Sequence, residues 1–241
     1  MTMKVGILAF GLCAVMGAPA HAQMTWTDQG FVNASLGIQS GSRTLNTSST
    51  FDSLEEQARL DTTQDVDGAA FLDISGGYKV WRNLAVAIGF SRMKSDSDVT
   101  FNAAIPDPVA TDRLRSVSAS AAGAEHKEQA VHLMGVWMMP VTDKIDVGFS
   151  AGPTIFQVSQ DVPTAITTAE PGPTVTGTTL TSADKTTIGL NFGVDATYLV
   201  TPDIGAGLLA RYTWGSADLQ GATDKLTVGG FQIGVGVRYR F

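Results

Sequence analysis

Three things are scarce in this 241-residue sequence: cysteine, charge and long apolar runs. Only 16% of the residues are charged, against about 25% in an average soluble domain. No apolar run reaches the roughly 18 residues that a membrane-spanning helix needs, which excludes a polytopic helical membrane protein. The formal net charge of -7 disfavours nucleic acid as a partner. With 44% hydrophobic residues and 26 glycines, the composition leaves a soluble all-β protein or a membrane β-barrel.

The single cysteine lies in an N-terminal segment that has the features of a secretory signal peptide. A positively charged start precedes an apolar stretch at residues 5–16, and Ala-His-Ala at 20–22 fits the small-x-small cleavage pattern. We therefore predict that residues 1–22 are removed and that the mature chain begins at Gln23. Cys13 leaves with the signal peptide, so the exported chain has no disulfide, thiol nucleophile or thiolate metal site.

Alternation of apolar and polar residues dominates the rest of the sequence. In the final segment, Phe231–Phe241, every second residue is apolar and the residues between are Gln, Gly or Arg. A period of two predicts a β-strand with one apolar face, and about 11 residues suit a tilted membrane-spanning strand. Segments of this kind occur eight times, at 32–38, 71–80, 84–91, 130–139, 145–152, 188–198, 206–214 and 231–241.

The connections between these segments alternate between short and long. The short ones are 81–83, 140–144 and 201–203, and the long ones are 40–69, 94–125, 158–184 and 215–228. This alternation is typical of up-and-down barrels with short turns at one end and long loops at the other. We predict loops in the long connections, with one helical turn where Ser53–Glu56 has capping-box spacing. The acidic stretch Asp61–Gly68 lacks the register of a calcium loop and is predicted to be solvated loop.

The direction of the apolar face separates a membrane barrel from a soluble one. A lipocalin-like soluble barrel has its apolar face inside, whereas the narrow interior of an eight-stranded membrane barrel suits small residues. Here the polar face is rich in glycine, and aromatic residues cluster near both ends of the segments, as in membrane girdles. The sequence therefore predicts an all-β, eight-stranded antiparallel up-and-down transmembrane β-barrel. The glycines on the polar face include Gly148, Gly152, Gly189, Gly193, Gly207, Gly234 and Gly236.

The final strand carries a resemblance to a known family. It ends in Arg238-Tyr239-Arg240-Phe241 after alternating apolar residues, and residues 77–84 resemble the second hairpin of the same proteins. On these motifs the chain from Gln23 to Phe241 resembles small Gram-negative outer-membrane β-barrels of the OmpA-like or opacity-protein type. The resemblance implies an outer-membrane location with four extracellular loops. It implies outer-membrane lipid and lipopolysaccharide as partners, and the barrel-assembly machinery and periplasmic chaperones during biogenesis. The assembly-signal face that it implies consists of Ile233, Val235, Val237, Tyr239 and Phe241.

Candidate catalytic and metal-binding residues are few. His126, Glu128 and His132 share one face of the fourth segment, which is one way to hold a metal ion. Neither a helical His-Glu-x-x-His spacing nor a thiolate supports that hypothesis. A lipid-modifying enzyme would need a hydroxyl nucleophile and a base on the lipid-facing side, whereas both histidines fall on the inward parity. We predict no catalytic residue, no metal and no cofactor.

Charged and polar residues also occupy the inward face, where an isolated buried charge is strongly unfavourable. These residues must therefore pair, and Asp195 and Arg211, which flank the 201–203 turn, are predicted cross-strand neighbours. Such a network either plugs the lumen or lines a narrow ion pathway, and the small bore of eight strands favours the plug. The predicted lumen network consists of Asp73, Lys79, His132, Asp146, Asn191, Asp195, Arg211, Arg238 and Arg240.

The long connections hold most of the 23 acidic residues, which the solubility of exposed loops explains. Taken together, these features predict a monomeric outer-membrane protein with a structural or loop-mediated binding role and no affinity for nucleic acid. A narrow, porin-like passive channel for small solutes or ions is the alternative function. A lipid-modifying outer-membrane enzyme is the third hypothesis.

Overall fold

The computed structural model describes residues 25–41, 43–110, 113–170, 173–219 and 222–241, so the predicted signal peptide at 1–22 lies outside the described residues. These residues form antiparallel β-strands joined by turns. The strands are β1 Gly30–Ser40, β2 Arg43–Ser53, β3 Glu56–Val66, β4 Ala70–Trp81, β5 Leu84–Pro106, β6 Leu114–Thr142, β7 Ile145–Ala169, β8 Thr174–Leu199, β9 Ile204–Ala217 and β10 Leu226–Arg240. No helix in the described ranges has the length and apolar character that a bilayer crossing requires.

Eight of the strands close into a ring. β1 pairs with β10 on one side and with β4 on the other, and β4 to β10 follow one another in chain order around the barrel. All these pairings are antiparallel, which confirms the predicted eight-stranded antiparallel barrel. The connections β4–β5, β6–β7 and β8–β9 are short and lie at one end, here called the short-turn end.

The apolar face of the alternating pattern points outward on this ring. On β10, Ile233, Val235 and Val237 are exposed, whereas Gln232 and Arg238, which have the opposite parity, are buried. A soluble barrel would place the apolar residues inside. An exposed apolar band around a polar interior is the arrangement of a barrel that is surrounded by lipid.

The first long connection is a β-hairpin rather than a loop. β2 and β3 pair along their whole length, and β3 covers most of the predicted solvated loop at Asp61–Gly68. The turn residues Leu54 and Glu55 have φ angles of 53° and 64°, the left-handed conformation of a tight hairpin turn. The predicted helical turn at Ser53–Glu56 is therefore wrong. Many residues of this hairpin are threonine or serine. Threonine favours strands, but neither residue is apolar, so the sequence shows no alternation of apolar and polar residues here.

The second and third long connections are also mostly strand. β5 and β6 run far beyond the apolar band, and so do β7 and β8, which corrects the prediction of loops. β3 joins this extension by pairing with β5, from Arg59 opposite Ala104 to Gln64 opposite Val99. We call residues 43–66, 92–129 and 157–186 the outer lobe. Its inner face has a hydrophobic core of Ala58, Leu60, Phe101, Ala103, Ile105, Val117 and Ile166.

Candidate functional site

An apolar cluster around Trp26 lies in the lumen at the short-turn end. This residue is 2% exposed and packs with Phe31, Ala85, Ala87, Met134, Val136 and Met138. The Trp26 backbone N–H donates to Asn83 Oδ1 at 3.2 Å, and Lys79 Nζ donates to the carbonyl oxygens of Trp26 and Thr27 at 3.1 and 2.9 Å. The segment that precedes β1 is thus held inside the mouth of the barrel.

Above this cluster, Arg238 and Asp195 form a two-pronged ion pair. Arg238 Nε and Nη2 donate to the two Asp195 carboxylate oxygens at 2.9 and 2.5 Å, and Nη1 donates to Ser35 Oγ at 2.9 Å. Arg238 lies on β10 and Asp195 on β8, so the guanidinium crosses β9. It crosses at Gly207, where a Cβ atom would lie only 2.3 Å from Arg238 Nε. The absence of a side chain at Gly207 is therefore what makes this pair possible.

Arg240 lies in the same region and is also buried. It donates to Asn33 Oδ1 at 3.1 Å and to Thr197 Oγ1 at 2.8 Å, and its guanidinium carbon lies 5.3 Å from the centre of the Phe31 ring. Asp146 Oδ2 is 3.9 Å from Arg240 Nε, which is a longer ion pair. Arg240 thereby connects the ionic residues to the apolar cluster at the short-turn end.

Arg211 crosses the middle of the lumen. Its Nη2 donates to Asp73 Oδ2 at 2.6 Å and its Nε donates to Gln232 Oε1 at 2.7 Å. Both charged side chains are 2% exposed. The predicted pairing of Asp195 with Arg211 is therefore wrong, and Leu209 stands opposite Asp195 on β9. Residue spacing in the sequence predicts only which residues are neighbours on adjacent strands. In a closed ring, a long arginine side chain can also reach across the lumen to a strand that is not adjacent to its own.

A chain of amides extends this network towards the outer lobe. Gln232 Nε2 donates to Gln39 Oε1 at 2.6 Å, and Gln39 Nε2 donates to Glu128 Oε2 at 2.9 Å. Glu128 also accepts from Arg43 Nη1 at 2.5 Å and from the backbone N–H of Gly229 at 3.1 Å. Gln39 on β1 and Gln232 on β10 occupy alternate positions that face the lumen, so the sequence pattern could have identified both as lumen residues. Arg43 gave no such signal because its strand was predicted to be a loop.

The structure brings together two of the three residues of the metal hypothesis and places His132 apart from them. His126 Nε2 lies 3.1 Å from Glu128 Oε1, and His126 Nδ1 lies 2.7 Å from Gln160 Oε1. His132 has different partners and does not share this contact. Within the part of the chain that the structure describes, no three His, Cys, Asp or Glu side chains form a group that could hold a metal ion.

A buried serine–histidine pair was missed by the sequence reasoning. Ser91 Oγ lies 2.9 Å from His132 Nε2, and His132 Nδ1 lies 2.9 Å from Thr154 Oγ1. Thr154 in turn accepts from Asn191 Nδ2 at 2.9 Å. The histidine thus contacts two hydroxyl groups, and neither ring nitrogen is bonded to a carboxylate. All four side chains are buried in the lumen.

A second apolar cluster lies where the ring meets the outer lobe, beside the Glu128 end of the polar network. It combines Phe156 and Val158 of β7 with Leu226 and Val228 of β10, and includes Leu45 of β2 and Leu219 of the β9–β10 connection. Apolar clusters therefore lie towards both ends of the lumen.

The predicted lumen residues all lie on the inward face. Seven are buried: Asp73, His132, Asp146, Asn191, Arg211, Arg238 and Arg240. Lys79 and Asp195 are partly exposed. The predicted assembly-signal residues Ile233, Val235, Val237, Tyr239 and Phe241 lie on the exposed face of the last strand and its end, and their role in assembly stays a prediction.

A closed antiparallel ring with an apolar exterior and a charged interior defines an integral membrane β-barrel. The family model described as "Outer membrane protein beta-barrel domain" matches residues 8–241. The chain therefore belongs to this family, which places it in the outer membrane.

The chain is also similar to solved structures of low sequence identity. Neisserial surface protein A is 14% identical, covers 88% of this chain and 97% of its own, and gives a TM-score of 0.44. The N-terminal β-barrel domain of Pseudomonas aeruginosa OprF is 12% identical, with coverages of 90% and 100% and a TM-score of 0.44. The outer membrane protease OmpT from Escherichia coli is 11% identical, with coverages of 92% and 100% and a TM-score of 0.45. Comparison with curated proteins finds no significant match.

Proposed function

We propose that this protein is a non-conducting, non-enzymatic barrel that anchors the outer lobe in the outer membrane and presents it for binding. The observation that carries the proposal is the burial of Arg211, Arg238 and Arg240 across the lumen, between two apolar clusters. A hydrated path would leave these guanidinium groups in contact with water. Arg238 is instead 0% exposed and bonded to carboxylate, hydroxyl and carbonyl oxygens.

The Ser91–His132 pair supports a structural role better than a catalytic one. An activated serine needs a base that is itself oriented by a third group, and the reacting hydroxyl must reach substrate. Here the second ring nitrogen of His132 is hydrogen-bonded to the Thr154 hydroxyl rather than to a carboxylate, and His132 is 0% exposed. Ser91 is itself only 4% exposed, so its hydroxyl presents almost no surface to a lipid substrate.

The outer lobe is the feature that supports a binding role. In outer-membrane barrels the short turns face the periplasm and the long connections face the outside of the cell. Residues 92–106 of β5 extend roughly 50 Å along the strand at about 3.3 Å per residue. The tips of β6 and β7 are joined by a two-pronged ion pair between Arg115 and Glu170, at 3.1 and 2.5 Å. A paired, cored lobe presents a defined surface with a smaller entropy loss on binding than mobile loops would have.

Planar bilayers test whether the lumen conducts. We expect no reproducible conductance steps from the purified protein, whose folding is verified by different migration of heated and unheated samples on a detergent gel. Steady steps that change in the Arg211→Gln variant but not in the Arg59→Gln variant would overturn the proposal in favour of a narrow channel. Arg59 is a suitable control because it is an exposed cation on β3, away from the lumen.

A further inference from the structure

The segment that precedes β1 leads into a cavity at the short-turn end of the barrel. The backbone N–H of Trp26 donates to Asn83, and the Asn83 carbonyl oxygen accepts from the backbone N–H of Met138 on β6 at 2.7 Å. The chain at Trp26 therefore lies beside the start of β5 and the end of β6. Thr25, the residue before it, lines a cavity of about 620 Å³.

Carboxylates outnumber cations among the residues that line this cavity. The cavity is bordered by the segment before β1 and by the β6–β7 and β8–β9 connections. Its lining residues include three acidic side chains, Asp28, Asp143 and Asp146, and one basic side chain, Lys144. Asp143 and Lys144 are exposed, whereas Asp146 is only 5% exposed. The cavity therefore has an excess of negative charge, and its most buried carboxylate is that of Asp146.

The Asp146 carboxylate has no close partner within the described part of the chain. It accepts no hydrogen bond there, and the one cation within 4 Å of it is Arg240, whose Nε lies 3.9 Å away. That Nε is buried and makes no hydrogen bond either. Asp28 is close enough for its negative charge to act on Asp146. Because a buried carboxylate without a hydrogen bond is unfavourable, this geometry favours a cationic donor in the cavity.

We propose that the α-ammonium group of Gln23, which removal of the signal peptide creates, binds in this cavity and forms an ion pair with Asp146. Cleavage after Ala22 leaves two residues before Thr25, and two residues span at most about 7 Å. The new chain end therefore stays close to a cavity that Thr25 itself lines. An α-ammonium group has three N–H donors, as a lysine side chain has, and binds a carboxylate by charge-assisted hydrogen bonds.

This ion pair depends on maturation of the chain. Hydrolysis of the Ala22–Gln23 peptide bond consumes one water molecule and leaves a carboxylate on Ala22 and an amine on Gln23, which is protonated at neutral pH. Before hydrolysis the same nitrogen is an uncharged amide. Cleavage thus supplies a cation at the mouth of the barrel only in the mature protein. The inference rests on the predicted cleavage site, but not on whether the lumen conducts.

The rate at which the Gln23 α-amine is labelled tests the inference. The exported, folded protein in detergent micelles is treated with an amine-reactive reagent at pH 7, and the N-terminal peptide is followed by mass spectrometry. A carboxylate partner raises the pKa of an amine, and one pKa unit lowers its reactive, unprotonated fraction tenfold. We therefore expect labelling of the wild-type protein to be about 10-fold slower than labelling of Asp146→Asn. Asp203→Asn is the matched control and should label like the wild-type protein, because Asp203 is exposed in the β8–β9 connection.

A second variant keeps every residue of the cavity and moves only the chain end. Insertion of Gly-Ser-Gly-Ser between Ala22 and Gln23 places the ammonium group up to about 13 Å further along the chain. This variant is expected to label as fast as protein unfolded in urea, whereas wild-type labelling at that same rate would overturn the proposal. Equally slow labelling of the wild-type protein and Asp146→Asn would overturn the pairing with Asp146. An intact mass that places the start of the mature chain at a residue other than Gln23 would overturn the proposal through its cleavage site.

Discussion

Replacement of Asp195 by asparagine tests whether the ion pairs in the lumen hold the barrel together. The substitution preserves size and keeps one carbonyl oxygen, but it removes the charge that faces the Arg238 guanidinium at 2.9 and 2.5 Å. Arg238 is 0% exposed and Asp195 is 19% exposed, so water does not replace the lost carboxylate fully. The guanidinium then stays buried with uncharged acceptors only, namely the remaining side-chain oxygen at position 195, Ser35 and backbone oxygens.

The magnitude follows from the burial of this pair. Removing one partner of a buried ion pair costs about 3–5 kcal/mol, because the other charge is left uncompensated. With a urea dependence of about 2 kcal/mol per molar, we expect the unfolding midpoint of Asp195→Asn to fall by about 2 M. The double variant Asp195→Leu/Arg238→Met removes both charges, so its free energy of unfolding is expected within about 1 kcal/mol of the wild-type value.

Urea unfolding in phospholipid vesicles, followed by tryptophan fluorescence and by migration of unheated samples on gels, measures these midpoints. Asp203→Asn is the matched control, because Asp203 lies exposed in the β8–β9 connection. A midpoint for Asp195→Asn within about 0.3 M of this control would refute the reasoning, since a midpoint shift reports the change in stability when the slope is constant. A double variant as unstable as the sum of its two single variants would refute it as well.

Two further predictions test particular contacts. Gly207→Ala is expected to destabilise the barrel by about 1–3 kcal/mol, because the added methyl group would displace Arg238. Gly135→Ala is the control, because the atom nearest to a Cβ at this position is 3.9 Å away. This variant should unfold like the wild-type protein in the same urea assay. The Arg115 guanidinium lowers the pKa of Glu170, so this ion pair is present at neutral pH and is lost as the pH falls through that lowered pKa. An NMR titration of the Glu170 carboxyl carbon should give a midpoint below that in the Arg115→Gln variant, and equal midpoints would contradict the assignment.

Much of the ring was predictable because a lipid-facing strand has a simple pattern. Each residue of β10 from Phe231 onward faces either lipid or lumen, so the period of two is complete in the sequence. The outer lobe was not predictable in the same way. Outside the membrane, an outward face of Thr, Ser and charged residues looks like a loop, although β2 and β3 pair along their whole length. Pairing there depends on a neighbouring strand that is distant in sequence.

In the lumen, too, the sequence predicted some features of the side chains and not others. The alternating pattern predicted an inward position for Arg211 and Asp195, and both are on the lumen side. It did not predict that Arg211 reaches Asp73 on β4 or that Arg238 crosses Gly207 to reach Asp195. Partners across a ring depend on strand stagger and side-chain length, which a one-dimensional pattern does not contain.

By itself, then, the sequence determined the class of fold, the eight ring strands and the face on which each residue lies within their alternating segments. These properties follow from local alternation, because burial in lipid selects residues one strand at a time. Only the tertiary structure decided which charges pair and where the apolar clusters lie in the lumen. These properties depend on register between strands that lie far apart in the chain, and hydrogen bonding around the closed ring sets that register.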